Sequence, residues 1–333
     1  MLLDIIIPQY KEDENIIKCL LDSIINQKNV DFKDINVTIV NDASDVKLSN
    51  KFLLKYKKLN ICYVENEKNT GPGLARQKGV DVTDNKYIMF CDADDELYND
   101  TVLSKIIEFI KKFQPNYLVT NIAVEAIVNN EKSLIIKKNR DTFPWMHGKV
   151  YKRFFLEDKK IRFCEHIRHV EDTYYTTCVI GSMNPNEIYY LDLITYRWKN
   201  NLSSLTRNKN KYSYTVSIFD DFFNAPIYTY DFLCKIKSYY RYSFLINSMF
   251  GIYIMLNSNL FNYEELKEEK EDYLNKLKEY LKTKRNIFVL VKKEELEKMF
   301  NEELKQLKIR NGVENISKSL DDFINEFITI NKN

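Results

Sequence analysis

Four short apolar runs alternate with helix-patterned stretches between residues 3 and 113, and that alternation leaves few folds open. Residues 3–7, apolar but for Asp4, form a run that stops at Pro8, as expected of a strand buried on both faces. Further runs follow at 36–40, 61–65 and 87–91. Between the first two, Ile16, Ile17, Leu20, Leu21, Ile24 and Ile25 recur at helical spacing behind the acidic Glu12, Asp13 and Glu14; further helices are expected at 48–56, 74–81 and 102–113. Strands separated by helices need right-handed crossovers, which predicts an α/β, doubly wound, mostly parallel sheet. In such sheets ligands bind beyond the carboxyl ends of the strands. Here those ends read PQY, NDAS, ENEKN and DADD.

Beyond residue 115 the pattern changes to shorter β-rich segments, 117–128, 133–136 and 186–198, which predict an antiparallel extension with one helix at 173–180. From Lys211 onward the periodicity is mainly helical. The chain is therefore expected to divide into domains 1–210 and 211–333, the second a helical C-terminal region. Leu266, Tyr273, Leu274, Leu277, Tyr280 and Leu281 form one apolar stripe among charged residues. Residues 243–256 are the most apolar stretch, but Asn247, Ser248 and Gly251 interrupt it and it is short, so a buried helix rather than a transmembrane segment is expected.

The formal net charge of +2 argues against an obligate polyanion binder, although KVYKR (149–153), RNKNKY (207–212) and KIKSYYRY (235–242) set cations among aromatics. The six cysteines form no C-x-x-C pair and sit among apolar neighbours, which predicts reduced thiols. The N-terminus has no basic leader region, so a cytoplasmic location is expected.

The fourth strand runs straight into Asp92, Asp94 and Asp95. Clustered carboxylates repel and raise one another's pKa unless a cation sits among them, so a divalent metal is indicated; the alternative is a solvated turn leading into the next helix. His147, His166 and His169 are irregularly spaced, which favours packing or acceptor contacts over metal ligation. Gly71 and Gly73 do not open a P-loop.

Six segments in order carry a resemblance: LDIIIPQYKEDENIIKCLLDSI, VTIVNDASD, NTGPGLARQKGVD, YIMFCDADDEL, MHGKVYKRFFLEDKKIRF with HVEDTYYTT, and ITYRWKNNLSSLTR. Together, over residues 2–207, they resemble the family 2 glycosyltransferases of GT-A fold, in a bacterial or bacteriophage-type form. The resemblance implies an inverting, metal-dependent transfer of a sugar from a nucleotide-diphospho-sugar, with UDP favoured, to an acceptor hydroxyl. It implies that Pro8, Tyr10 and Asp42 line the base pocket, that Arg76 reaches the nucleotide, and that Asp92 faces the ribose or the metal. Asp94, with Asp92, would hold Mn²⁺ or Mg²⁺; Asp172 would be the general base with Glu171 beside it, and Arg197 and Ser204 would contact the diphosphate. Two positions depart from the pattern: Asn41 stands where the family has aspartate, and Ala43 where it has glycine. The acceptor is a saccharide, a lipid-linked saccharide or another cell-surface glycan, with hydroxymethylated DNA bases of a phage as an alternative. A nucleotide-sugar-binding protein without turnover is the non-enzymatic alternative. A nucleotidylyltransferase would need a Gly-rich loop after the first strand, which PQYKEDEN lacks.

Overall fold

The computed structural model describes residues 1–128, 131–143, 145–200, 211–261 and 266–329. It divides into two compact units, Met1–Thr229 and Tyr230–Asn333. The division falls inside one helix, Lys211–Lys235, where the sequence pattern had suggested residue 210.

In the first unit the strands β1 (Leu3–Gln9), β2 (Ile35–Asn41), β3 (Asn60–Glu65) and β4 (Tyr87–Phe90) alternate with the helices α1 (Glu14–Ile25), α2 (Asn50–Leu53) and α3 (Pro72–Asp81). All four strands are parallel, in the order β3-β2-β1-β4. Leu3, Ile5, Ile7, Val37, Ile39, Tyr87 and Met89 are buried in one core with Ile17, Leu20, Leu21 and Ile24 of α1. Asp13 caps α1 by accepting from Asn15 N and Ile16 N, so the acidic cluster there starts the helix. The expected helix at 48–56 is a single turn, α2, followed by a 3₁₀ turn, Leu54–Tyr56.

β5 (Glu96–Leu97) and α4 (Val102–Phe113) follow, then β6 (Tyr117–Val128), β7 (Glu131–Lys137), β8 (Lys149–Lys152), α5 (Arg153–Asp158), α6 (Glu171–Gly181) and β9 (Ile188–Trp198). The sheet continues β4-β8-β6-β9-β5, with β7 hairpinned on β6. β8 is antiparallel to β4 and β6, as the extension predicts, but β9 runs parallel to β6 because α5 and α6 intervene as a crossover. The two-residue β5 and four-residue β8 are too short to show a period in the sequence. Residues 91–95 must carry the chain from β4 to β5, four strand positions away. Four positions are about 19 Å, close to the full reach of six residues, and Ala93 and Asp94 spend part of that reach on a turn. The sheet therefore curls, and the DADD segment lies across the end of the curl.

Beneath the opposite end of β1, the buried Arg153 donates to Asp4 Oδ2 (2.8 Å), Asn85 O (2.7 Å), Val80 O (2.8 Å) and Thr83 Oγ1 (2.8 Å). Asp4 Oδ1 also accepts from Asn36 and Asn85 side chains, so this buried ion pair is fully hydrogen-bonded.

Helix α7 (Lys211–Lys235) runs into the second unit, which holds α8 (Arg241–Leu256), α9 (Lys267–Val289), α10 (Lys293–Asn311) and α11 (Leu320–Phe323). Phe250 of α8 meets Phe288, Phe300 and Phe323 edge-on at 5.1–6.1 Å. Leu245 to Leu256 are largely buried, as expected of the apolar stretch, and Leu266, Tyr273, Leu277 and Leu281 bury the predicted stripe. Among the described residues no helix is long and apolar enough to cross a membrane. All six cysteines are free thiols.

Candidate active site

The carboxyl ends of β1 to β4 converge as the topology requires. At the end of β2, Asp42 is buried and its two oxygens accept from Asn66 Nδ2, Thr70 N, Thr70 Oγ1 and Gly71 N at 2.8–3.1 Å. A carboxylate has about four acceptor sites, so these donors occupy it and tie the loop 66–71 to β2. Pro8 lies within β1 opposite Val40, and Tyr10 is 39% exposed just beyond it. Asn41 folds the β2 turn back by accepting from Ser44 N and donating to Ser44 O. Ala43, where the family has glycine, adopts a left-handed φ of 55°. An L-residue pays roughly 1–2 kcal/mol there. Ala43→Gly is expected to stabilise the fold by about 0.5–1 kcal/mol, after allowing for the greater freedom of the unfolded glycine chain, read from urea unfolding.

Arg76, on α3, is buried and joins a strand-end and a helix-start carboxylate: Nη2 meets Asp92 Oδ1 and Nη1 meets Glu171 Oε1, each at 2.7 Å. Burial alone would lower the arginine, but Asp92 and Glu171 more than reverse this, so it stays charged. Burial would raise Asp92, but Arg76 and His147 hold it far below the usual carboxylate range. Burial pushes Glu171 up to about 7, with the charge of Asp172 adding to the rise, and burial raises Asp172 as well.

His147 is the residue that spacing alone did not single out. Its Nε2 lies 3.0 Å from Asp92 Oδ2 and 4.0 Å from Asp95 Oδ2. Its ring stacks on Trp198 at 5.8 Å, and its Nδ1 is buried without a partner. Burial would lower the imidazole, but the Asp92 hydrogen bond and the two carboxylates raise it. Gly148, with φ of 65°, makes the turn that aims it; a Cβ there would lie 2.8 Å from Ile122. Lys149 anchors the same loop through Thr142 O (3.0 Å) and Trp145 O, and burial pushes it down to about 7.

Asp95 is fully buried and staples the DADD turn to β9: Tyr196 Oη donates to its Oδ2 (2.7 Å) while accepting from Asp92 N (2.9 Å), and Lys199 N donates to Oδ1 (2.8 Å). Burial pushes this carboxyl up to about 8. Asp94 is half-buried in the turn itself. Glu12, read in the sequence only as a helix-start acid, is pushed up to about 7 by burial, with Asp94 and Asp92 adding to the rise. One ligand atom from each of Asp92, Asp95 and His147 lies within 4.8 Å of the others, an oxygen and imidazole set suited to a divalent cation.

Glu171 and Asp172 open α6, behind Val170 in the left-handed region at φ 55°, a strained conformation for a β-branched residue. Asp221 of α7 holds this loop, accepting on Oδ2 from Arg168 N (3.1 Å) and His169 N (2.7 Å), with His169 Nδ1 at 3.0 Å. Asp172 Oδ1 accepts from Thr173 N (2.7 Å). Helix α3 packs so closely here that a Cβ on Gly73 would lie 2.9 Å from Glu171 Cγ and 3.1 Å from Phe163. Of the remaining expected residues, Arg197 pairs with Glu96 (3.0 Å) and Glu125 (2.6 Å), so its charge is committed along the sheet edge. Ser204 lies outside the described residues.

Known proteins share this fold. Residues 4–170 match the model of glycosyl transferase family 2. The poly(ribitol-phosphate) beta-glucosyltransferase of Bacillus spizizenii is 28% identical over 188 residues, 53% of this chain and 29% of that protein. The chain thus spans under a third of that relative. An uncharacterised glycosyltransferase of Methanocaldococcus jannaschii is 26% identical over 231 residues, 64% of this chain and 77% of that protein. Among solved structures, residues 1–349 of Staphylococcus aureus TarS in complex with UDP-GlcNAc superpose with a TM-score of 0.67 at 19% identity, covering 94% of this chain and 93% of that one. With half of its length matched, the chain belongs to glycosyl transferase family 2.

Proposed function

We propose that the protein transfers a sugar, with inversion, from a UDP-sugar to a hydroxyl of a phosphate-containing cell-surface glycan. The observation that carries the reading is the Arg76 bridge, which sets the strand-end carboxylate Asp92 and the helix-start Glu171, the neighbour of Asp172, on one guanidinium. The choice of UDP draws on the TarS complex, and the acceptor class on the poly(ribitol-phosphate) named for the Bacillus relative.

In this reading Asp172 takes the proton of the acceptor hydroxyl as that oxygen bonds to the anomeric carbon. The anomeric carbon–oxygen bond to phosphate breaks on the opposite face, and the nucleoside diphosphate leaves with the electron pair. Asp94 and Asp92 would hold Mn²⁺ or Mg²⁺, with His147 adjoining; the ion supplies charge neutralisation to the departing diphosphate. Glu171 is a positioning residue through Arg76. Asp42 acts at the nucleotide end by fixing the loop 66–71, with Pro8 and Tyr10 beside the base and Ser204 toward the diphosphate, while Arg197, paired with Glu96 and Glu125, is left out of that role.

The test is transfer from a panel of UDP-, GDP- and TDP-sugars to poly(ribitol phosphate) with Mn²⁺ or Mg²⁺. Turnover with a UDP-sugar alone supports the reading, and turnover only with another nucleotide removes the UDP assignment. Asp94→Ala is expected to lower metal-dependent UDP affinity by about tenfold or more in calorimetry, whereas an unchanged affinity takes Asp94 out of the metal role.

A further inference from the structure

The start of α6 is strained, and the restraint that keeps it so comes from α7. α6 begins without a side-chain cap, and its N-cap residue, Val170, stands at φ 55° and ψ 22°. A helix that needs only a beginning takes it from an extended N-cap with an acceptor side chain, as α1 does with Asp13 at φ −80°. At Val170 the chain instead places a β-branched residue in the left-handed region, and that turn brings the next residue, Glu171, onto Arg76. Strain of this kind persists only where the surroundings hold it.

Asp221 is what holds it. Its side chain is 14% exposed, and one oxygen, Oδ2, accepts from Arg168 N (3.1 Å) and His169 N (2.7 Å), with His169 Nδ1 at 3.0 Å. Successive backbone N–H groups converge on one anion only where the chain turns, so the contact itself fixes the bend that leads into Val170. Seven residues further along α7, on the same face of the helix, Tyr228 stacks on His166 at 5.5 Å. The clamped segment also touches the loop 66–71. Arg168 Nη2 donates to Asn69 Oδ1, and a Cβ on Gly71 would lie 3.1 Å from Arg168 Cγ. Asn69 Nδ2 and Gly71 N both donate to Asp42, so the loop that Asp42 fixes and the start of α6 meet at the residues that Asp221 holds.

We infer that Asp221 is a positioning residue for sugar transfer: by clamping residues 168–169 it keeps Val170 left-handed, and thereby sets Glu171 on Arg76 and Asp172 at the acceptor hydroxyl. The part that concerns the hydroxyl rests on Asp172 being the base; the clamp on Val170 and Glu171 does not.

The test compares Asp221→Ala with two rescues. Asp221→Asn keeps an oxygen that accepts from both backbone N–H groups, and Asp221→Ala/Val170→Gly places at 170 a residue that enters the left-handed region without help. For Asp221→Ala, kcat for transfer from a UDP-sugar to poly(ribitol phosphate) should fall by about tenfold or more, with UDP-sugar affinity within about threefold of wild type. Both rescues should bring kcat back to within about threefold of wild type. A crystal structure of Asp221→Ala gives a readout independent of turnover: Val170 should leave the left-handed region and the Arg76–Glu171 bond should open. Val170 unmoved with that bond intact would overturn the proposal, even if this donor and acceptor give no turnover. So would wild-type kcat in Asp221→Ala, or a loss that neither rescue restores. Failure of both Asp221→Ala and the double variant to fold would make Asp221 a residue of stability alone and overturn it as well. Should Val170 move while Asp172→Asn turns over like wild type, Asp172 is not the base and the clamp stands.

Discussion

Asp172→Asn is expected to leave the protein folded and UDP-sugar affinity within about twofold of wild type, while transfer falls by on the order of a hundredfold or more. The amide oxygen can still accept from Thr173 N, so the start of α6 has no reason to move. What is lost is the proton acceptor. The pH dependence gives a second readout. A base works ionised, and burial raises the Asp172 carboxyl, so wild-type kcat/KM should begin to fall at a higher pH than an ordinary aspartate would set. The residual rate of the variant should lack that acid limb. Wild-type turnover, or an acid limb that persists, would move the base to Glu171, which burial pushes up to about 7.

The largest stability loss is expected at the other end of β1. Arg153→Met should lower the stability of the first unit by about 3–5 kcal/mol, because it leaves the fully buried Asp4 without its counter-charge and removes the guanidinium donors to Asn85 O and Thr83 Oγ1. Both tryptophans, Trp145 and Trp198, lie in that unit, so fluorescence-detected urea unfolding reports on it. Arg153→Met with Asp4→Leu should recover part of the loss, since removing both charges lifts the cost of an unpaired one. A single variant within about 1 kcal/mol of wild type would show that water replaces the guanidinium at no great cost.

The parallel half of the sheet was legible because its strands are largely apolar runs and α1 and α4 are amphipathic, local signals that tertiary structure did not override. Asp92 and Glu171 were legible for a different reason: one follows a strand and the other starts a helix at the carboxyl edge, where topology gathers side chains, whereas Arg76, inside α3, was named only through the family resemblance. His147 was not, since its place depends on β8, a four-residue strand, and on the backbone turn at Gly148. Neither leaves a period in the sequence. The parallel pairing of β9 with β6 was hidden similarly, because a strand's own residues do not record which way its neighbour runs. Asp42 illustrates a further limit: its position could be read, whereas its four donors come from a loop more than twenty residues later.

The close approach at Gly73 bears on how such a site can change over evolutionary time. With no room for even a methyl group between the start of α3 and Glu171, position 73 works as a spacer of zero thickness. It sets the distance from which Arg76, one turn further on, reaches both carboxylates. A side chain there would part the two helices and break the bridge from one end. Asp92 and the start of α6 are thereby geared together, and changes that leave both in mesh fall to the surrounding loops.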